Sequence, residues 1–149
     1  MKFLSLCVWL CAVVIGIGLL RAQQPLTPEQ QKQAADALRK ALELAHDDVE
    51  ALALLGWAQM YQEKYDDALL TFQGVLVRKP DSSIARINIG YICLKKKIFG
   101  EAIQHLSRVT RGNSDRKSSL YANYYLGLLY FERDMFEDAK SFFLAARTL

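Results

Sequence analysis

Gly56, Gly90 and Gly127 each stand twelve residues ahead of an alanine, Ala68, Ala102 and Ala139, and each alanine stands four residues ahead of a bulky apolar side chain, Phe72, Leu106 and Phe143. An aromatic precedes each alanine by three residues (Tyr65, Phe99, Phe136), and an aliphatic directly precedes each glycine (Leu55, Ile89, Leu126). Five positions therefore recur three times. The step is 34 residues between the first two glycines and 37 between the second pair, with the extra three assigned to residues 113–119. A period near 34 points to a stack of helix-turn-helix pairs. One such pair cannot bury its apolar stripe alone, so neighbours must bury it for each other. Glycine and alanine belong where two helix backbones cross closely, and the bulky residue four positions on fills the wedge beside that crossing.

The spacing and residue types resemble the tetratricopeptide repeat, which sets a leucine and glycine in the first helix, an alanine and an aromatic in the second, and a proline at the exit. Pro80 fills the exit place once, and Ser114 stands there in the next copy. The family's tryptophan place holds Leu52, Arg86 and Asn123, and its first-helix tyrosine place holds Gln59, Cys93 and Tyr130, so individual copies are degenerate. The resemblance covers residues 49–149 as three repeats, 49–82, 83–119 and 120–149, and implies an all-α helical solenoid. Upstream, Ala34 and Leu38 lie 34 residues before Ala68 and Phe72, marking residues 28–46 as a leading half-repeat helix. Thr27, Pro28 and Gln30 form a capping-box start for it, with Glu29 in the first turn.

Residues 3–20 are eighteen consecutive residues without a charge, preceded by Lys2 and followed by Arg21. Two readings of residues 1–22 stand: a secretory signal cut after Ala22, or an N-terminal membrane anchor just long enough to span. Both place the start in the cytoplasm and the repeats on the extracytoplasmic side. Of the three cysteines, Cys7 and Cys11 fall in this segment and only Cys93 lies among the repeats, so no internal disulfide is expected there. Cys93 reads as a small buried hydrophobe.

The resemblance also implies a groove along the inner face of the first helices that takes a protein or peptide partner. The residues three before and one, four and five after each glycine are expected to face it: Ala53, Trp57, Met60 and Tyr61; Ile87, Tyr91, Leu94 and Lys95; Tyr124, Leu128, Phe131 and Glu132. Asn88 matches an asparagine of the variant that grips terminal carboxylates, but Ala53, Trp57, Tyr121 and Tyr125 depart from that variant's polar places. Trp57, Tyr61, Asn88, Tyr91, Lys95, Tyr124 and Phe131 are thus the groove candidates, either as ligand anchors or as packing between neighbouring first helices.

Charge is uneven. Residues 28–82 carry ten acidic and six basic side chains, residues 83–119 two and eight, and residues 120–149 four and three. Lys95, Lys96, Lys97, Arg108 and Arg111 mark the basic middle repeat, read either as ordinary charge at helix C-termini or as a contact for an acidic partner or anionic lipid. Phe142 and Phe143 in the last helix are read either as an end surface that stacks on another protein or a second copy, or as Phe143 covered within its own repeat with Phe142 partly exposed. Nucleic acid is not an expected partner.

No catalytic constellation is visible. His46 and His105 stand alone, the pairs Asp47-Asp48, Asp66-Asp67 and Glu137-Asp138 sit at turns and helix starts, and there is no phosphate loop or metal spacing. The expectation is a scaffold or adaptor without cofactor, exported or anchored. The alternatives are a permanent structural subunit of a membrane complex and a peripheral module for anionic lipid.

Overall fold

The computed structural model describes residues 27–44, 48–112 and 114–148. The readings placed on residues 1–22, on His46 and on the ends of the chain lie outside these. The described residues form helices α1 (Pro28–Leu44), α2 (Val49–Tyr61), α3 (Tyr65–Arg78), α4 (Ser83–Lys95), α5 (Phe99–Arg111), α6 (Arg116–Glu132) and α7 (Phe136–Thr148). Each packs on the next in sequence, and α4 also lies against α6. That neighbour-only pattern is a helical solenoid of the pairs α2–α3, α4–α5 and α6–α7, led by α1.

The helix starts follow from local chemistry. At α1, Gln30 N–H donates to Thr27 Oγ1 at 3.3 Å while Thr27 N–H donates to Gln30 Oε1 at 2.9 Å, a reciprocal capping box. Asp48 caps α2 through Glu50 N–H and Ala51 N–H, Ser82 caps α4 through Ala85 N–H, and Asp115 caps α6 through Ser118 N–H. Helices α3 and α5 start without a side-chain cap. They are launched by a tight turn whose geometry recurs in every pair. Glu63, Lys97 and Asp134, each seven residues after its glycine, hold φ of 58°, 59° and 59°. Their successors Lys64, Ile98 and Met135 donate backbone N–H to Gln59, Cys93 and Tyr130 carbonyls. This left-handed exit satisfies carbonyls that the helix end would orphan.

The repeat positions meet as their spacing requires. Ala68 and Ala102 are wholly buried and Ala139 nearly so, and Leu55, Ile89 and Leu126 are buried beside them. A Cβ on Gly56 would lie 2.7 Å from Phe72 Cζ, one on Gly90 2.5 Å from Leu106 Cγ, and one on Gly127 2.6 Å from Phe143 Cδ1. Each bulky residue therefore roofs its own repeat's glycine, and no side chain fits between them. The family's tyrosine place bridges the pair by different chemistry each time. Thr71 Oγ1 donates to Gln59 Oε1 at 2.7 Å; Cys93 Sγ donates to Glu101 Oε2 at 3.7 Å; Tyr130 stacks on Phe142 with centroids 5.1 Å apart. One continuous apolar core runs through the first two pairs and into α6 of the third, around Phe72, Ile89, Ile92 and Leu129, and a second joins Leu106, Val109, Ala122 and Leu126.

Two details refine the repeat frame. The extra three residues of the longer step form helix: α6 begins eleven residues before Gly127, whereas α4 begins seven before Gly90, and α5 is one residue shorter than α3. In α1 the deepest residue is Ala35, while Ala34 and Leu38 are half-buried, so its contact face is turned by one residue from the alignment with Ala68 and Phe72. Gln62 Nε2 ties the helix to α2 by donating to the Gln31 carbonyl at 3.1 Å.

Candidate functional site

The first helices α2, α4 and α6 enclose a groove of about 620 Å³. Its lining shifts along the array. Helix α2 contributes residues after its glycine, Trp57, Met60 and Tyr61; α4 contributes residues on both sides of Gly90, namely Ile84, Ile87, Asn88 and Tyr91; α6 and its cap contribute only residues before Gly127, namely Asp115, Lys117, Ser118, Tyr121 and Tyr125. The groove therefore crosses the helices obliquely, meeting each one nearer its N-terminus than the last. The additional first turn of α6 supplies the far wall.

Of the seven groove candidates, Trp57, Tyr61, Asn88 and Tyr91 line this space together. Lys95 lies beside it, its Nζ 5.6 Å from the Tyr91 ring centroid in a cation–π contact. Tyr124 and Phe131 lie outside it. Tyr124 is turned towards Tyr125 and Phe143, at 5.6 and 6.0 Å between centroids, and Phe131 packs edge-on against Phe136 at 5.5 Å. The physical reason is the oblique path. A face defined by one offset from the glycine holds for α2 and drifts out of the groove by α6. Tyr121 and Tyr125 take the vacated role, and Tyr91 and Tyr125 join across two helices with centroids 5.3 Å apart. The lengthened step before Gly127 is the sequence signal that locates Tyr121.

Electrostatically the groove is nearly neutral. Asp115 is committed to its cap: Ser118 Oγ donates to Oδ2 at 2.6 Å, and these Ser118 bonds hold the carboxyl below its usual range. Asn88 Nδ2 donates to the Ile84 carbonyl at 2.8 Å. Burial, reinforced by Tyr91, Tyr121 and Tyr124, raises the Tyr125 phenol above its ordinary value, so the ring keeps its proton.

The basic side chains of the middle repeat have separate local contacts. Lys96 pairs with Asp66 across the first two repeats, Lys97 occupies the left-handed turn, and Arg108 and Arg111 border a separate hollow of about 450 Å³ along α5. Arg86 donates to the Pro80 carbonyl at 2.6 Å, and burial followed by Arg108 lowers its pKa. Phe142 and Phe143 are half-buried on α6, against Tyr130 and over Gly127 respectively. The exposed apolar side chains of the described outer surface include Leu70 (67%) and Val77 (80%) on α3.

Burial, then Glu101, pushes the Cys93 thiol up to about 11, which leaves it a protonated core residue and a poor nucleophile. His105 is held below its ordinary pKa by burial and by Arg86, with Glu101 opposing, and its Nδ1 has no partner. No group of His, Cys, Asp and Glu among the described residues could hold a metal ion, and no described helix is long and apolar enough to cross a membrane.

Residues 53–117 match the family model described as tetratricopeptide repeat. No curated protein matches the sequence. Among solved structures, the chain is similar to the one described as MamA RS-1 ArsTM double mutant, with a TM-score of 0.69 and 24% identity over 79% of this chain. The match spans 65% of that protein's length. At that identity the likeness speaks for the fold alone.

Proposed function

Because residues 53–117 match the tetratricopeptide-repeat model and the helices stack in pairs, we propose that the chain is a non-catalytic interaction scaffold that holds a segment of a protein partner in the groove across α2, α4 and α6. The observation that carries this reading is the cluster of five large amphipathic rings, Trp57, Tyr61, Tyr91, Tyr121 and Tyr125, around one concave space. Such rings supply contact area at low entropic cost and dominate the energetics of many interfaces. In the same reading, residues 1–22 direct the chain to a membrane and the repeats to its extracytoplasmic side, because Lys2 and the amino terminus outweigh the single Arg21 behind the apolar run.

The test is capture of a partner by the full-length chain and by Trp57→Ala and Tyr91→Ala. Both side chains are partly exposed, so the helical content should persist while binding falls by tenfold or more, as for an interface anchor. A partner retained undiminished by both variants refutes the groove. Mass measurement of the mature N-terminus with membrane fractionation tests the targeting: a start near Gln23 in soluble exported protein means cleavage, and an intact start in the integral membrane fraction means an anchor.

A further inference from the structure

Equivalent positions of the three pairs differ in burial in a consistent way. Four residues after the glycine, Met60 is partly buried and Leu94 is 4% exposed, but Phe131 is 54% exposed. Where the second helix opens, Tyr65 and Phe99 are partly buried, but Phe136 is 55% exposed. Three residues before the glycine, Ile87 is buried, but Tyr124 is 44% exposed. The roofs Phe72 and Leu106 are wholly buried, while Phe143 is half-buried although it meets its glycine just as closely. The difference is a following first helix. Helix α4 packs on α3, and α6 packs on α4 and α5, whereas α6 and α7 pack chiefly on α4, α5 and each other.

The four under-covered rings form one surface. Tyr124 and Phe131 stand seven residues apart on α6, and Phe136 and Phe143 seven apart on α7, so each couple shares a helix face. Across the two helices, Tyr124 meets Phe143 at 6.0 Å and Phe131 meets Phe136 at 5.5 Å between centroids. The only polar group these rings bring is the Tyr124 hydroxyl. A segment seated on them must satisfy its own backbone groups, which an α-helix does and an extended segment does not.

The earlier pairs show which helix fits. Helix α4 buries Ala85, Ile89 and Ile92 in the cluster that holds Phe72, and α6 buries Ala122 and Leu126 in the cluster that holds Leu106, with Leu129 buried at the place of Ile92. The stripe is a small residue with aliphatics four and seven positions on. The small residue lets the axes approach, and the aliphatics fill the spaces between bulky side chains. A second copy offers no free stripe of this kind among its described first helices, because α4 and α6 bury theirs within the array and α2 buries Ala51 and Leu55.

We infer that the α6–α7 face is a second docking surface, separate from the groove, which takes an amphipathic α-helix of a partner protein with that uncharged stripe, seated as α4 is seated on α3. Tyr124 and Phe131, which lie outside the groove, are its anchors on α6. Anchors at such helical spacing are the usual grip of one protein on another's helix.

The probe is a dye-labelled peptide of residues 82–95 carrying Cys93→Ser, cross-linked between positions 84 and 88 to hold it helical. Helix α4 is the template because the roof it covers, Phe72, is aromatic like Phe143. Fluorescence anisotropy follows its titration with the full-length chain in lipid nanodiscs, with empty nanodiscs as the blank. Saturable binding is expected, weakened tenfold or more by Phe131→Ala and by Phe136→Ala. Both side chains are more than half exposed, so helical content should persist in the two variants. Ile89→Glu in the probe should abolish binding, and Leu70→Ala, at an exposed apolar residue of α3, should leave it unchanged. Absence of binding, or binding undiminished by both phenylalanine variants, overturns the inference. A chain that light scattering shows to be dimeric, and that Phe136→Asp returns to monomer, gives the face to a second copy and overturns it as well.

Discussion

Replacing Gly90 by alanine adds one methyl group whose effect is set by two opposing terms. In the middle of a helix, alanine is favoured over glycine by about 0.8–1 kcal/mol. Against this, the new Cβ would lie 2.5 Å from Leu106 Cγ and 2.7 Å from Cδ2. Leu106 is fully buried, and its Cγ stays in place under any change of χ2 and moves only if χ1 swings the whole side chain into packed neighbours. The helix pair must part instead, and overpacking of this kind costs about 1–3 kcal/mol. The net expectation is a loss of about 1 kcal/mol, or up to about 2. Gly74 is the control, since a Cβ there meets nothing nearer than Arg78 Nη1 at 3.7 Å, and Gly74→Ala should gain about 1 kcal/mol. The two variants should therefore differ by about 2–3 kcal/mol in chemical denaturation followed by far-ultraviolet circular dichroism. Leu106→Ala alone should cost about 2–5 kcal/mol, and combining it with Gly90→Ala should cost less than the sum, because the methyl then enters the vacated space. If Gly90→Ala stabilises as much as Gly74→Ala, or shows no coupling to Leu106, the close crossing does not govern the repeat.

Lys97→Gly and Asp134→Gly should each stabilise the fold by about 1 kcal/mol, since both positions hold left-handed backbone that costs a side-chain-bearing residue about 1–2 kcal/mol; thermal melting checks this, and a lowered midpoint contradicts it. Asp48→Ala should cost about 1 kcal/mol through loss of the α2 cap. His105, whose folded pKa is depressed, binds its proton more readily in the unfolded chain. Stability should therefore fall as pH drops below about 6.5, and His105→Gln should flatten that part of the profile; an unchanged slope would assign the acid sensitivity elsewhere.

The repeat frame was legible because its constraint is short-range in spacing. A glycine and the bulky residue sixteen positions later must touch across a fixed turn, so Gly56 with Phe72 and Gly90 with Leu106 announce both helices and their crossing at once. The capping box at Thr27 and Gln30 and the core role of Cys93 were readable for similar local reasons. The groove was legible only in its first half. Trp57, Tyr61 and Tyr91 could be placed from helical periodicity and Asn88 from the family resemblance, whereas Tyr121 and Tyr125 line the groove in place of Tyr124 and Phe131 because one helix pair is rotated and staggered on the next. That rotation is a property of packing between pairs and leaves no mark in the spacing within a helix. At the end surface expected of Phe142 and Phe143, both rings are half-buried, Phe142 stacked on Tyr130 and Phe143 over Gly127, a contact that the repeat spacing itself foretold for Phe143.

The order of contacts along the array also has a mechanical meaning. Among the described residues each helix leans chiefly on its sequence neighbours, with the α4–α6 contact beside them, so the first pair is tied to the last mainly through the pair between. Tension between the two ends would peel the array pair by pair. Each repeat of about 34 residues holds roughly 110 Å of extended chain, released in one step once its glycine crossing opens. A scaffold of this build would lengthen under load by discrete increments, keeping the unpeeled pairs folded while it does so.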